Sequence, residues 1–103
     1  MTRCTFSPRA VRNLARIQGY ISQDKPRAAL EFAEKIEERC RELANAPQSG
    51  RPLPSFRRNL YSIPFRTYVI VYRILDSQIE IVDIIHGMRL KASGLVPPPS
   101  PMK

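Results

Sequence analysis

Arginines are concentrated in the segment from Gly50 to Gly87, where they alternate with apolar residues that favour β-strands. Five lie within it: Arg51, Arg57, Arg58, Arg66 and Arg73. No acidic residue occurs between Glu42 and Asp76. Guanidinium groups form paired hydrogen bonds with carboxylates and phosphates. The segment therefore predicts a rigid cationic surface that binds an anionic macromolecule.

His86 is the only histidine of the chain, and it stands directly before Gly87-Met88-Arg89. An imidazole at the end of a strand can hydrogen-bond a neighbouring carbonyl group, contact a target, or act as a general acid or base. All three roles are compatible with the sequence.

Four aromatic residues lie between positions 61 and 72 of this segment. Tyr68 and Tyr72 are four residues apart, so on a strand they point to one face, where packing in the sheet is favoured over base stacking. Tyr61 and Phe65 are flanked by arginines at 57, 58 and 66. They are the better candidates for a recognition surface.

Length and charge restrict the class of protein. With 103 residues and 43% hydrophobic residues, the chain has the composition of one globular domain with a thin core. Its net charge is +8 and its pI about 10.2. We expect a nucleic acid or an acidic protein as partner, and binding on a surface or in a shallow groove. Solubility alone is the alternative explanation of the charge.

Neither Cys4 nor Cys40 has a CxxC partner or a nearby histidine, so the sequence predicts neither a metal site nor a nucleophile at these positions. No metal or cofactor is expected. The N-terminus lacks the apolar run of a signal peptide, and no stretch approaches the ~20 apolar residues of a membrane span. These features predict a cytoplasmic protein with no membrane partner and with reduced thiols.

Two helices are predicted in the first half of the chain. Ser7-Pro8 is a typical start for a helix that ends near Ser22. Its apolar face is formed by Val11, Leu14, Ile17 and Ile21, and its polar face by Arg9, Arg12 and Arg16. The second helix extends from Pro26 to about Ala46, with a stripe of Ala29, Phe32, Ala33, Ile36, Cys40 and Leu43. The short linker between them predicts an antiparallel hairpin.

Strands are predicted before and after this hairpin. A short strand covers residues 2–6, and three more cover Leu60 to Ile63, Tyr68 to Leu75 and Ile79 to Ile85, with Pro64 indicating an edge or a kink. On the last strand, alternation assigns Ile79, Ile81 and Ile85 to one face. The opposite face is assigned to Glu80, Val82 and Ile84.

The predicted order is β-α-α-β-β-β, an α+β fold of two layers with a helical hairpin on a small, mainly antiparallel sheet. The folded domain is expected to cover residues 1–91. Residues 92–103 contain four prolines and are predicted to form an extended tail.

Four segments resemble the ParE branch of the ParE/RelE toxin superfamily in their order and spacing. They are the linker DKPRAA, the turn LANAPQSGRP, the strand pair NLYSIPFRTYVIVYRI and the ending IEIVDIIHGMR. The resemblance extends over roughly residues 3 to 91. It implies the toxin of a type II toxin–antitoxin operon, neutralised by an antitoxin whose acidic C-terminal region covers it. ParE-like members inhibit DNA gyrase, whereas RelE-like members cleave mRNA on the ribosome.

The chemistry of RNA cleavage helps to distinguish the two branches. Without a metal, cleavage requires a base, an acid and cations around the phosphorane. RelE-like nucleases resemble one another in supplying lysines, arginines and a tyrosine or histidine near the last strand. Here Lys91 is the only lysine between Lys35 and Lys103, and no tyrosine follows Tyr72. The ParE-like function, gyrase inhibition without catalysis, is therefore the first hypothesis.

The candidate residues follow from this hypothesis and its alternatives. Target or partner contacts are assigned to Arg57, Arg58, Tyr61, Phe65, Arg66, Arg73, His86 and Arg89. Antitoxin contacts are assigned to Arg9, Arg12 and Arg16. If the protein is a ribosome-dependent nuclease, its catalytic set is His86, Arg66, Arg73 and Arg89. A third hypothesis is a non-toxic domain that only binds the antitoxin and co-represses the operon.

Overall fold

The computed structural model describes residues 3–53, 59–76 and 78–89. Its helices are α1, Pro8–Ser22, and α2, Pro26–Asn45. Its strands are β1, Arg3–Phe6; β2, Arg51–Pro52; β3, Leu60–Phe65; β4, Tyr68–Leu75; and β5, Gln78–His86. Single turns of 3-10 helix occupy Pro47–Ser49 and Gly87–Arg89. Arg57, Arg58 and the predicted proline-rich tail, residues 92–103, lie outside the described residues.

The five strands form one mixed sheet in the order β1-β5-β4-β3-β2. β1 runs parallel to β5, and every other neighbouring pair is antiparallel. The two helices pack on the sheet, so the predicted α+β architecture is confirmed. β2 lies in the segment that the sequence analysis treats as the turn LANAPQSGRP, and its two residues pair with Tyr61 and Ser62 of β3. β3 continues through Pro64, which pairs with Val69 of β4.

Local capping fixes the start of α1. The Ser7 hydroxyl oxygen accepts a hydrogen bond from the Ala10 amide at 3.0 Å, which satisfies one of the free N–H groups of the first turn. The same hydroxyl donates to the Val82 carbonyl oxygen at 2.7 Å, so the cap also joins the helix to β5. Pro8 occupies the first helical position, where its missing N–H costs nothing.

The main core lies between the helices and the sheet. From α2 it receives most of the predicted stripe, including Phe32, Ile36 and Leu43, which are fully buried. One prediction for α1 is wrong: Val11 is 54% exposed, and Ala10 is buried in its place. The rest of the predicted face, Leu14, Ile17 and Ile21, does pack against the main core. Only its first position differs, because Ala10, four residues before Leu14, lies on the same side of the helix.

A second apolar cluster covers the other face of the sheet. It is formed by Leu60, Val71, Val82 and Ile85, all buried. The predicted face assignment of β5 is therefore wrong in its second half, since Ile84 joins Ile79 and Ile81 in the main core. The cause is a β-bulge: Val71 pairs with Asp83 but Tyr72 pairs with Ile81, so one extra residue of β5 shifts the alternation.

Candidate functional site

An open cleft of about 590 Å³ lies at one end of the sheet, between the second half of α1 and the ends of β4 and β5. It exists because β1 is short. Phe6, the last residue of β1, pairs with Ile81, and the chain then turns into α1. The C-terminal half of β5 therefore has no neighbouring strand on this side within the described part of the chain. We call this site the α1–β5 cleft.

The walls of the cleft combine apolar, aromatic and cationic side chains. Its lining residues are Asn13, Arg16, Ile17, Tyr20, Thr67, Tyr68, Ile84, Ile85, His86 and Arg89. Neither a carboxylate nor a lysine occurs among these described lining residues. Arg16 and Arg89 are exposed and make no ion pair within the described residues. The cleft is therefore a cationic, partly apolar recess open to solvent.

His86 is held by its own backbone and by an aromatic neighbour. The Met88 amide donates to Nδ1 of His86 at 3.2 Å. An Nδ1 that accepts a hydrogen bond carries the lone pair, so the proton of the neutral ring is on Nε2. The ring contacts Tyr68 edge-on, with centroids 5.6 Å apart. His86 thus presents a hydrogen-bond donor to the cleft, not a free basic nitrogen.

A further hydrogen bond connects the two chain segments that border the cleft. The Gly87 amide donates to the Thr67 carbonyl oxygen at 2.9 Å. Thr67 belongs to the two-residue turn between β3 and β4, and Gly87 follows the last residue of β5. The turn and the end of β5 therefore form one structural unit that carries Arg66, His86 and Arg89.

The structure separates the other candidates from this cleft. Arg73 lies on the face of β4 away from the helices, with its Nε 3.8 Å from a carboxylate oxygen of Glu80. Tyr61 is half-buried near the start of β3 and stacks on Tyr72, with centroids 5.5 Å apart. Phe65, at the other end of β3, packs edge-on against Phe32. Of the alternative nuclease set, Arg73 is thus separated from the other three residues, which lie on the unit formed by the β3–β4 turn and the end of β5.

The cationic face of α1 is only partly free. Arg9, Arg12 and Arg16 are all exposed, as expected. Nε of Arg9, however, lies 3.6 Å from Oδ2 of Asp83, a carboxylate that is buried between α1 and β5. Sequence reasoning missed Asp83, since its partners are distant along the chain. Asp83 also accepts from the Asn13 side chain and from the Ile84 amide.

Sequence reasoning also missed two cleft residues, of which only one had a sequence signal. Tyr20 follows Arg16 by four positions on α1 and is 73% exposed, which is unusual for a large aromatic side chain. Thr67 lies in the β3–β4 turn and had no such signal. Among the described residues, no group of three or more His, Cys, Asp or Glu side chains is arranged so that it could hold a metal ion.

The family model that describes the ParE toxin of the type II toxin–antitoxin system parDE matches residues 4–91. The chain belongs to this toxin family. The match includes α1, β5 and Arg89, so the whole α1–β5 cleft lies within the family domain. No helix in the described part of the toxin has the length and apolar character needed to cross a membrane.

Two curated relatives come from Caulobacter vibrioides. Toxin RelE2 is 34% identical over 90 residues, covering 87% of this chain and 100% of its own length. Toxin RelE1 is 36% identical over 84 residues, covering 80% of this chain and 89% of its own. The toxin therefore resembles relatives that bear RelE names while it matches a family model that bears the ParE name.

Two solved structures share the fold. One is the chromosomal ParDE toxin–antitoxin system from P. aeruginosa, with a TM-score of 0.71, 19% identity, and coverage of 84% of this chain and 96% of the other. The second is the toxin–antitoxin complex RelBE2 from Mycobacterium tuberculosis, with a TM-score of 0.62, 24% identity, and coverage of 82% and 96%. At these identities the likeness concerns the fold alone.

Proposed function

We propose that the toxin inhibits DNA gyrase by binding it through the α1–β5 cleft, without breaking a bond itself. One observation carries this proposal: Nδ1 of His86 accepts the Met88 amide, which leaves a donor at Nε2. A general base needs a free lone pair within reach of the proton that it removes. A donor beside Arg16 and Arg89, which make no ion pair with a described residue, is suited to holding an anionic or carbonyl-rich surface.

The composition of the cleft supports binding over catalysis. A metal-independent nuclease needs one group that takes a proton and another that returns it. The described cleft residues include no carboxylate or lysine for either step. Arg16 and Arg89 can stabilise negative charge, and Ile17 and Tyr20 provide apolar contact area. This combination is characteristic of a protein–protein interface, where arginine and aromatic residues are enriched.

A supercoiling assay with purified toxin and gyrase tests this proposal. We expect inhibition by the native toxin and weaker inhibition by Arg16→Glu and Arg89→Glu, because each reverses a charge of the cleft. Arg41→Glu is the matched control, since Arg41 is exposed on α2 and does not line the cleft. Full supercoiling at a large molar excess of native toxin rules the proposal out.

An antitoxin is the second proposed partner. The two solved structures named above are toxin–antitoxin systems. An acidic antitoxin segment would contact the exposed guanidinium groups of Arg12 and Arg16, whereas Arg9 already has Asp83 as a neighbour. Charge complementarity of this kind accelerates association and makes it sensitive to salt. An association rate that does not change between low and high ionic strength would contradict this contact.

Ribosome-dependent cleavage of mRNA is the second candidate function. It is favoured by the RelE names of the two relatives from Caulobacter vibrioides and by the proximity of His86, Tyr68 and Arg89 in one cleft. Primer extension on abundant transcripts after toxin expression tests it. Discrete cut sites that disappear in His86→Ala, with antitoxin binding retained, would establish cleavage; a complete lack of cut sites would eliminate it.

A growth assay tests both candidates together. Expression of the toxin without its antitoxin should arrest growth if it inhibits gyrase or cleaves mRNA. Normal growth at a verified level of folded protein would leave only the third hypothesis, a domain that binds the antitoxin and co-represses the operon. Circular dichroism of the purified protein provides the control for folding.

A further inference from the structure

Two cysteines that are far apart in the sequence meet inside the fold. Exposed and half-buried residues alternate along β1, so that Cys4 and Phe6 point toward the helices and pack against the main core. Cys40 lies on the buried stripe of α2, about one turn after Ile36, and is 3% exposed. β1 and α2 are in contact, and the Cys40 thiol donates a hydrogen bond to the sulfur of Cys4. The two sulfur atoms are therefore direct neighbours.

The two thiols differ in their access to solvent. Cys4 is half-buried on β1, at one end of the strand order, whereas Cys40 is buried. The hydrogen bond from Cys40 lowers the pKa of Cys4, against the effect of its own burial. Cys4 is thus the more accessible thiol and the one with the larger thiolate fraction. An accessible thiolate beside a second thiol is the arrangement that redox-sensitive cysteines have.

A metal does not account for this pair. A structural zinc site needs four ligands, commonly cysteine and histidine. Among the described residues, no group of three or more potential ligands could hold a metal ion. Two thiols in contact, with no further ligand beside them in this part of the chain, are suited to forming a bond with each other.

We propose that Cys4 and Cys40 are a redox site, at which a hydroperoxide converts the two thiols into one intramolecular disulfide that fastens β1 to α2. The inference goes beyond the proposed function and does not depend on which target the toxin has. In a reducing compartment the pair is reduced at rest and is oxidised only transiently. The expectation of reduced thiols from the sequence describes this resting state.

The oxidation takes place in two steps. The Cys4 thiolate attacks one oxygen of the hydroperoxide, the O–O bond breaks, and the departing oxygen takes up a proton, which leaves a sulfenic acid on Cys4. The Cys40 sulfur then attacks the Cys4 sulfur, and the S–S bond forms as the hydroxyl group leaves with the Cys40 proton as water. Over both steps the two thiols lose two electrons and two protons, and the hydroperoxide is reduced to an alcohol and water.

The first step makes the second one easier. The hydrogen bond to Cys4, burial and the negative charge of the Cys4 thiolate all raise the pKa of Cys40. A sulfenic acid carries no such charge. The pKa of Cys40 therefore falls once Cys4 has been oxidised, and the thiolate needed for the attack becomes accessible.

The disulfide closes a loop that contains α1 and most of α2. Such a cross-link restricts the unfolded chain, so we expect the melting temperature to rise by about 5 °C or more on oxidation. Among the described strands, β1 pairs with β5 alone. The new bond holds this edge strand from the helical layer as well.

Hydrogen peroxide added to the reduced full-length toxin tests the inference. The chain has two cysteines, so an intramolecular disulfide has one possible pairing. By mass spectrometry we expect a monomer that has lost two hydrogen atoms and no longer reacts with iodoacetamide. Dithiothreitol should restore both thiols and the original melting temperature.

Two variants separate the roles of the thiols. In Cys40→Ala, dimedone should trap a sulfenic acid on Cys4, because the thiol that attacks it is missing. In Cys4→Ala, the matched control, Cys40 should stay reduced under the same treatment, because it is buried. Oxidation of Cys40 in that variant at the native rate would contradict the assigned order of the steps.

Three results with the native toxin would overturn the inference. They are two unmodified thiols at a peroxide concentration that oxidises free cysteine, sulfinic acid on Cys4 beside a reduced Cys40, and a disulfide-linked dimer in place of the oxidised monomer. A melting temperature that is unchanged or lower in the oxidised monomer would refute the fastening of β1 to α2. The native toxin gives all of these results, so the test does not depend on the folding of a variant.

Discussion

The hydroxyl of Tyr72 donates a hydrogen bond to the carbonyl oxygen of Pro47 at 2.8 Å, across the gap between β4 and the turn after α2. The same oxygen accepts from the Gly50 amide at 3.0 Å. One buried side chain on a central strand thus fixes both ends of the turn that connects the helical layer to the sheet. The Tyr72 ring is 0% exposed, so water does not substitute readily for either bond.

Tyr72→Phe should lower the free energy of unfolding by about 1–3 kcal/mol. The ring and its packing remain, but the Pro47 carbonyl and the Gly50 amide both lose their partner. Urea unfolding measures the change. Tyr20→Phe is the matched control, since the Tyr20 side chain is mostly exposed and its loss of a hydroxyl should change stability by less than about 0.5 kcal/mol. Equal effects of the two variants would contradict this role of Tyr72.

The stability that depends on Tyr72 should also decrease at high pH. Burial raises the pKa of the Tyr72 hydroxyl, and the hydrogen bond from Gly50 opposes this only in part. A raised pKa means that the folded state prefers the neutral hydroxyl more strongly than the unfolded state does. The contribution is therefore complete below the ordinary tyrosine pKa of about 10 and is lost as pH rises through the higher folded-state value.

Unfolding of the native toxin and of Tyr72→Phe between about pH 8 and about pH 11 measures this effect. We expect the difference in stability between the two proteins to change with pH only above about pH 10, because the variant has no hydroxyl to ionise at this position. Parallel profiles throughout the range would show that Tyr72 has the same pKa in both states.

The helices could be predicted from sequence to within a residue or two, because caps and apolar periodicity are local signals. Ser7-Pro8 and Pro26 mark the starts that the structure confirms. The face that each helix or strand turns toward the core was less predictable. The bulge in β5 depends on pairing with β4 and exchanged the faces of Ile84 and Ile85, which no pattern within β5 alone could indicate.

The site was predicted in its residue types but not in its arrangement. His86 and Arg89 do line one cleft, but its position depends on where β1 ends, which is a property of the fold. Arg73 was assigned to the binding surface for lack of nearby acids in sequence. Its neighbour Glu80 lies directly across the β4–β5 pair, at a distance that only the strand register determines.

Asp83→Ala should destabilise the toxin by about 2–4 kcal/mol, whereas Arg9→Ala should cost less than about 1 kcal/mol. The Asp83 side chain is 5% exposed and also accepts from Asn13 and from the Ile84 amide, whereas the Arg9 side chain is 55% exposed. The hydrogen bonds that Asp83 accepts therefore contribute more to the stability of the fold than its ion pair with Arg9. Urea unfolding of both variants and of their double mutant measures these changes in stability. Equal destabilisation by the two single substitutions would contradict the prediction.

Cys4 should be alkylated by iodoacetamide faster than Cys40 in the folded toxin. The two thiols are neighbours across the β1–α2 contact, and Cys4 is half-buried whereas Cys40 is buried. A hydrogen bond from the Cys40 thiol lowers the pKa of Cys4, against the effect of its own burial. The same bond and burial raise the pKa of Cys40. The thiolate is the reactive form. The lower pKa of Cys4 and its greater exposure therefore both make Cys4 react faster than Cys40.

Cys40→Ala tests the hydrogen bond directly. The variant removes the donor, so the pKa of Cys4 should rise and its alkylation at neutral pH should slow by a factor of about 2–10. Loss of packing at Cys40 would instead raise the alkylation rate of Cys4, because a cavity loosens the core and exposes Cys4 to the reagent. Mass spectrometry of each alkylated thiol against pH distinguishes the two: a lower rate with a shifted pH midpoint supports the hydrogen bond, and a higher rate at every pH refutes it.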